Sequence, residues 1–181
     1  MKKIFIYFTV LTAIVIIIPA LIVVIFPGGN DEDTDSQKVD EDDFEVVIPV
    51  YRTAQKQVEK VEIEQYVAGV LSSEMPAEFE MEALKAQAIA ARTYIVKQLL
   101  HPPGIQLPDD ALVTDTIRHQ VYRNEEELKK IWGKEFERKY KRIMQAVNET
   151  KGTIITYNGE PITASFFSTS NGYTENAEDY W

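Results

Sequence analysis

Ile4 to Phe26 is a 23-residue run without a charge, and it divides the chain before any fold is considered. As a helix rising about 1.5 Å per residue it would reach roughly 35 Å, enough to cross a hydrocarbon core of roughly 30 Å. Lys2 and Lys3 precede the run and acidic residues follow it. The positive-inside rule therefore puts the N-terminus in the cytoplasm and the rest of the chain outside the membrane. A cleaved signal peptide is the rival, but its apolar region spans about 7 to 15 residues and ends in a small-x-small site. This run is longer, and "IVVIFPGGN" offers no such site. Residues 1–27 thus read as an uncleaved, single-pass signal anchor in the cell membrane.

Residues 28–45, "GGNDEDTDSQKVDEDDFE", hold nine acids, one lysine and almost nothing apolar. Such a segment cannot bury enough surface to fold and reads as a solvated linker. Residues 46–181 then carry 16 basic and 20 acidic residues, a balance of −4. That is not the footprint of a nucleic-acid binder, so no nucleic acid is expected as a partner. With no cysteine in the chain, a disulfide framework and Cys-based metal sites are excluded. His101 and His119 are far apart and lack partners at ligand spacing. His101, in "HPPG", reads as a helix-terminal residue and His119, beside "QVY", as an edge-strand side chain. No metal and no other cofactor is expected.

Beyond the linker, Val46 to Val50 and "KQVEKVEI" (56–63) alternate apolar and polar residues, as half-exposed strands do. From Ile63 the period changes. Ile63, Tyr66, Val67, Val70 and Leu71 mark one helical face, which Pro76 closes. A second helix is expected from about Ala77 to Leu100, with Glu78, Glu80 and Glu82 favourable in its first turns. Its stripe is Met81, Leu84, Ala88, Ala91, Ile95 and Leu99. Residues 102–117 look irregular, and "QVY" (120–122) is a short strand candidate. Asn124 and Glu127 make a capping-box start for a helix that Gly133 breaks or kinks and Gly152 ends. Asn158-Gly159, between two β-rich runs, predicts a type I′ hairpin whose second strand reaches Phe167. The fold class is α+β: helices packed with short antiparallel strands and hairpins.

One carboxyl stands out. Glu74 lies eleven residues after Ile63, three turns within about 20° at 3.6 residues per turn. If the helix runs that far, Glu74 sits on the apolar stripe in the last turn. Burial and the negative end of a helix dipole both disfavour a charged carboxyl there, which suits a general acid. The alternative is a helix that frays at Ser72 and leaves Glu74 in water. Lys85 and Arg92 lie two turns apart and share the margin of the second helix's stripe, as snorkelling surface cations also would. "STSNG" near the end reads equally as a polar loop rich in turn formers.

Together these segments are specific. "YVAGVLSSEMPAEFEMEALKAQAIAARTY" (66–94) resembles the signature of the SpoIID/LytB family, and "SFFSTSNGYTENAEDYW" (165–181) resembles its second block. The resemblance covers roughly residues 46–181. It implies a peptidoglycan lytic transglycosylase that cuts glycan strands and acts in engulfment during sporulation. It places Glu74 on the catalytic glutamate, Lys85 and Arg92 on basic residues of the active-site groove, and Ser168, Ser170, Gly172 and Thr174 on the substrate loop. It also implies other membrane-anchored engulfment proteins as partners, a cell-wall amidase among them. The "amidase enhancer" name within the family leaves a different class open: a glycan-gripping scaffold that activates a partner hydrolase. Three departures are visible. Family members continue well past the final Trp181, so the domain is expected to be incomplete at its C-terminus. Asn171-Gly172 stands where many relatives have Gly-Gly. Some relatives use Cys or His for a metal, and this chain has no Cys.

Overall fold

The computed structural model describes residues 45–102, 104, 106–166 and 171–180. The expected anchor and all of the expected linker but Glu45 lie outside these residues. Among the described residues no helix is long and apolar enough to cross a membrane.

The chain enters as a hairpin. Strand β1, Val47–Arg52, pairs antiparallel with β2, Gln57–Glu62, from Val47 opposite Glu62 to Arg52 opposite Gln57. The period-two pattern turns Ile48, Val50 and Arg52 into the interior. Helix α1, Ile63–Glu74, follows directly, its start capped by the Glu62 side chain, which accepts from the Gln65 N–H at 3.0 Å. Tyr66, Val67, Val70 and Leu71 are fully buried, as the helical stripe predicted. The helix runs through Glu74, where the Met75 N–H donates to the Leu71 carbonyl and Pro76 prevents another turn. It does not fray at Ser72.

Helix α2 begins later than expected, at Met81 rather than Ala77, and runs to Leu100. Residues 77–79 form a turn closed by the Phe79 N–H on the Pro76 carbonyl. Arg142 donates to the carbonyls of Ala77 (2.8 Å) and Phe79 (2.9 Å), so a side chain satisfies groups that a helix would have used. Leu84, Ala88, Ala91 and Ile95 are fully buried, with Met81 and Leu99 packed at the margin.

The segment read as irregular holds a third strand. β3, Val113–Thr114, pairs parallel with β1, Val50 opposite Val113, and the sheet order is β2-β1-β3. The expectation of antiparallel pairing throughout is corrected at this point. "QVY" (120–122) forms no ladder. Gln120 and Tyr122 are buried in an extended segment, and Tyr122 stacks on Tyr66 with ring centroids 5.4 Å apart. His119 is accordingly no strand residue; its Nδ1 lies 2.9 Å from the Thr114 hydroxyl and accepts from the Thr114 N–H.

Helix α3, Glu125–Trp132, starts in the expected capping box of Asn124 and Glu127. Gly133, at φ +50°, opens a single 3-10 turn, and α4, Phe136–Glu149, follows it. Phe136, Ile143, Ala146 and Val147 of α4 close the core against α1 and α2. Asn158 (φ 51°) and Gly159 (φ 85°) make the predicted turn. It joins only two-residue strands, β4 Thr156–Tyr157 and β5 Glu160–Pro161, and residues 162–166 add no ladder. A four-residue helical turn, Ala177–Tyr180, follows the final loop.

Candidate functional site

Glu74 ends α1 half-buried, in an open cavity of about 300 Å³ lined by Ser72, Ser73, Glu74, Met75, Pro76, Ala77, Glu78, Trp132 and Lys139. The sequence "SSEMPAE" supplies most of this wall, because the helix stop and the turn after it leave the backbone concave there. Helices α3 and α4 supply the other side through Trp132 and Lys139.

Two carboxyls share the cavity and their surroundings differ. Glu78 is paired with Lys139 (3.2 Å) and Arg138 (3.2 Å). The hydrogen bond from Lys139, joined by its own backbone N–H and Arg138, holds it below the usual carboxylate range. Glu74 has no cationic partner among the described residues. Among the described residues its Oε1 accepts from the Val121 N–H alone, at 3.4 Å. Burial above all, with Glu74 the smallest of the contributors, pushes the Tyr66 phenol far above its ordinary value, so it stays protonated. Lys139 also lies 5.8 Å from the centre of the Trp132 ring. The cavity thus offers one uncompensated carboxyl, an indole and a carboxyl already paired with the lining's one cation.

The residues singled out from sequence do not all converge here. Lys85, on α2, is tied to Glu82 (2.8 Å) and Glu149 (2.6 Å) and does not line the cavity. Arg92, which the resemblance assigns to the groove, is buried in the fold. It is 1% exposed, and its guanidinium is spent inside the fold. Nε and Nη2 engage the Glu64 carboxylate at 3.0 and 2.6 Å, while Nη1 reaches the carbonyl of Thr153 beyond α4 and Nη2 that of Val147 in its last turn. Burial of such a charge is tolerated because it is paired and fully hydrogen-bonded. Gly172 and Thr174 are exposed in the final loop and do not line the cavity either, while Ser168 and Ser170 lie outside the described residues.

Sequence reasoning passed over Trp132 and Lys139 as site residues. Trp132 falls on a helical stripe and reads as core, and Lys139 is one cation among many in α4. Val121 acts through its backbone, which residue identity does not report. Among the described residues no group of three or more His, Asp or Glu could hold a metal ion.

A second cavity, about 270 Å³, lies against Gly69, Tyr122, Asn124 and Tyr140. Two of its carboxyls are already engaged, Glu59 by Arg52 and Glu125 by Lys129. It is a weaker candidate for proton chemistry than the Glu74 cavity.

Comparison with known proteins adds a lineage to this geometry. The family model of the SpoIID stage II sporulation protein matches residues 51–157. Stage II sporulation protein D of Bacillus subtilis (strain 168) is 47% identical over 195 residues, covering 100% of this chain and 57% of that protein. The protein of the same name from Bacillus amyloliquefaciens is 53% identical over 136 residues, 75% of this chain and 40% of its own length. The "Amidase enhancer" of Bacillus subtilis (strain 168) is 37% identical over 113 residues, 62% of this chain and 13% of that protein. The matched part of the chain therefore spans about half the length of these sporulation relatives, 57% of one and 40% of the other.

Proposed function

The chain belongs to the SpoIID family of stage II sporulation proteins, and from that premise we propose that it is a membrane-anchored peptidoglycan lytic transglycosylase acting in engulfment, with Glu74 as its single acid/base. One observation carries the reading. Of the two carboxyls in the cavity, Glu78 is neutralised by Lys139 and Arg138, whereas Glu74 faces open space with no counter-charge among the described residues.

Ordinary glycosidases use two carboxyls at a set separation. A lytic transglycosylase manages with one because the sugar supplies the nucleophile. Glu74 donates its proton to the glycosidic oxygen as the bond from the anomeric carbon breaks. The C6 hydroxyl of the same muramic acid residue then bonds to that carbon and gives its proton to the Glu74 carboxylate. A 1,6-anhydromuramic end is left and the enzyme returns to its starting state. Trp132 gives the sugar an apolar wall in a cavity otherwise rich in polar groups, the hydroxyls of Ser72 and Ser73 among them. Residues 1–27 would hold the domain outside the cytoplasm.

Glu74→Gln keeps the shape and removes the transferable proton. Glycan cleavage should fall by a factor of about 10² or more, while glycan binding persists. Mass spectrometry of fragments from the unmutated protein should find 1,6-anhydro ends. Reducing ends would mean that water is the nucleophile and a second carboxyl was missed. A second reading is supported by the likeness to an amidase enhancer: a scaffold that grips glycan and stimulates a cell-wall amidase. A parent that cleaves no glycan but stimulates an amidase would favour it.

A further inference from the structure

Among the described residues, the one donor to Glu74 sits on a stretch of chain that belongs to no helix or strand. Residues 115–124 run from the end of β3 to the cap of α3, and the Val121 N–H that reaches Glu74 lies among them. Backbone bonds from the Asp115 N–H to the Tyr51 carbonyl and from the Tyr122 N–H to the Asp115 carbonyl hold part of this segment, and side chains fix the rest.

Arg52 holds both ends. It is 2% exposed, and its Nε donates to Asp115 at 3.0 Å, where the segment begins. Its Nη2 donates to Glu127, and the same Glu127 oxygen accepts the Asn124 N–H at 2.9 Å, where the segment ends. Nη1 anchors the guanidinium to Glu59 on β2. The guanidinium also lies 5.0 Å from the centre of the Tyr122 ring, the residue next to Val121. Three carboxylates and a ring are met by one planar fork, which a lysine ammonium cannot reproduce.

Helix α1 holds the middle. The Tyr66 hydroxyl donates to Gln120 Oε1 at 3.2 Å. Gly69 lets the segment lie directly on the helix: a Cβ there would stand 2.5 Å from the Arg123 carbonyl oxygen and 2.5 Å from the Tyr122 ring. Gln120 Nε2 is buried with no acceptor among the described residues, a donor held in place beyond what the fold consumes. At 3.4 Å the Val121 bond is long, as catalytic hydrogen bonds in unliganded enzymes often are.

We infer that Arg52 is a positioning residue for Glu74, setting segment 115–124 so that the Val121 N–H orients the Glu74 carboxyl toward the cavity. The catalytic part of this inference rests on the acid/base reading of Glu74; the geometric part does not.

The test uses two variants of the whole chain. Arg52→Lys keeps the charge and loses the fork. A backbone ester at residue 121, made by incorporating the hydroxy-acid analogue of valine, removes the N–H alone. In Arg52→Lys the Val121 amide resonance should move and its hydrogen exchange should quicken at least tenfold, with the Val67 amide of α1 unchanged. Both variants should lose about tenfold in kcat, the equivalent of one hydrogen bond to a charged group, with KM within twofold. A structural role alone would lower the folded fraction and leave the kcat of folded molecules as it was. Parental kcat in a folded ester variant, or an unmoved Val121 amide in Arg52→Lys, overturns the inference. If Arg52→Lys fails to fold, the ester variant decides. Parental cleavage by Glu74→Gln, or a parent that cleaves nothing, removes the acid/base reading instead, and the amide measurement still decides whether Arg52 sets Val121.

Discussion

Replacing Arg92 by methionine separates a structural cation from a ligand-binding one. The guanidinium is 1% exposed and Glu64 7% exposed, so the substitution strands a carboxylate in the interior. Among the described residues the Gly152 N–H, at 3.3 Å, is its one remaining donor. The carbonyls of Val147 and Thr153 lose partners as well. Breaking a buried ion pair from one side costs roughly 3–5 kcal/mol. For a domain of this size that lowers the melting temperature on the order of 10–20 °C. Arg92→Met with Glu64→Leu removes both charges and should recover most of the loss, since apolar replacement of a whole buried pair is often close to neutral. Urea unfolding followed by tryptophan fluorescence, alongside glycan pull-down, reads both quantities. If Arg92→Met unfolds with the parent and no longer binds glycan, Arg92 is the groove residue that the resemblance implied, and the energetics argued from its burial are wrong.

Three further perturbations test other parts of the molecule. Gly69→Ala forces a Cβ against the Arg123 carbonyl and the Tyr122 ring and should cost about 1–3 kcal/mol, as overpacking does; an unchanged denaturant midpoint would show that the segment yields freely. Burial, helped by Arg118, holds the His119 imidazole below its ordinary value. The unfolded chain therefore takes up the proton first, so His119's contribution is in place above about pH 6.5 and is lost as pH falls toward the folded value. His119→Gln should flatten that limb of urea midpoint against pH, and an identical slope would exclude His119 as its source. If residues 1–27 anchor the chain with its N-terminus inside, protease added to intact protoplasts should remove residues 46–181, whereas full protection would reverse the topology.

What could be read before the fold was known follows from the range of each interaction. The α1 stripe and Pro76 placed Glu74 at a helix end, because both signals are local. The Asn124–Glu127 cap and the Asn158-Gly159 turn were legible for the same reason. Arg92 was not, since its partner Glu64 lies 28 residues away and resembles any first-turn acid on a surface helix. The pair Val113–Thr114 is too short to show alternation, and only its parallel partner makes it a strand. The site suffered most from this limit. Its donor is a backbone N–H, and Trp132 and Lys139 reach Glu74's cavity from helices much later in the chain.

The parallel pairing of β1 with β3 has a consequence for the order of events during folding. The β1–β2 hairpin joins neighbours in sequence and can close in about 1–10 μs. Seating β3 means bringing Asp115 to Arg52 across 63 residues, with loop-closure entropy spent before any contact returns it. The hairpin and the α1–α2 pair should therefore exist in molecules whose 115–124 segment has not docked. In those molecules Glu74 is already at its helix end but has no Val121 N–H beside it. Competence for chemistry would then be acquired at a late step of folding, after most of the apolar core has formed.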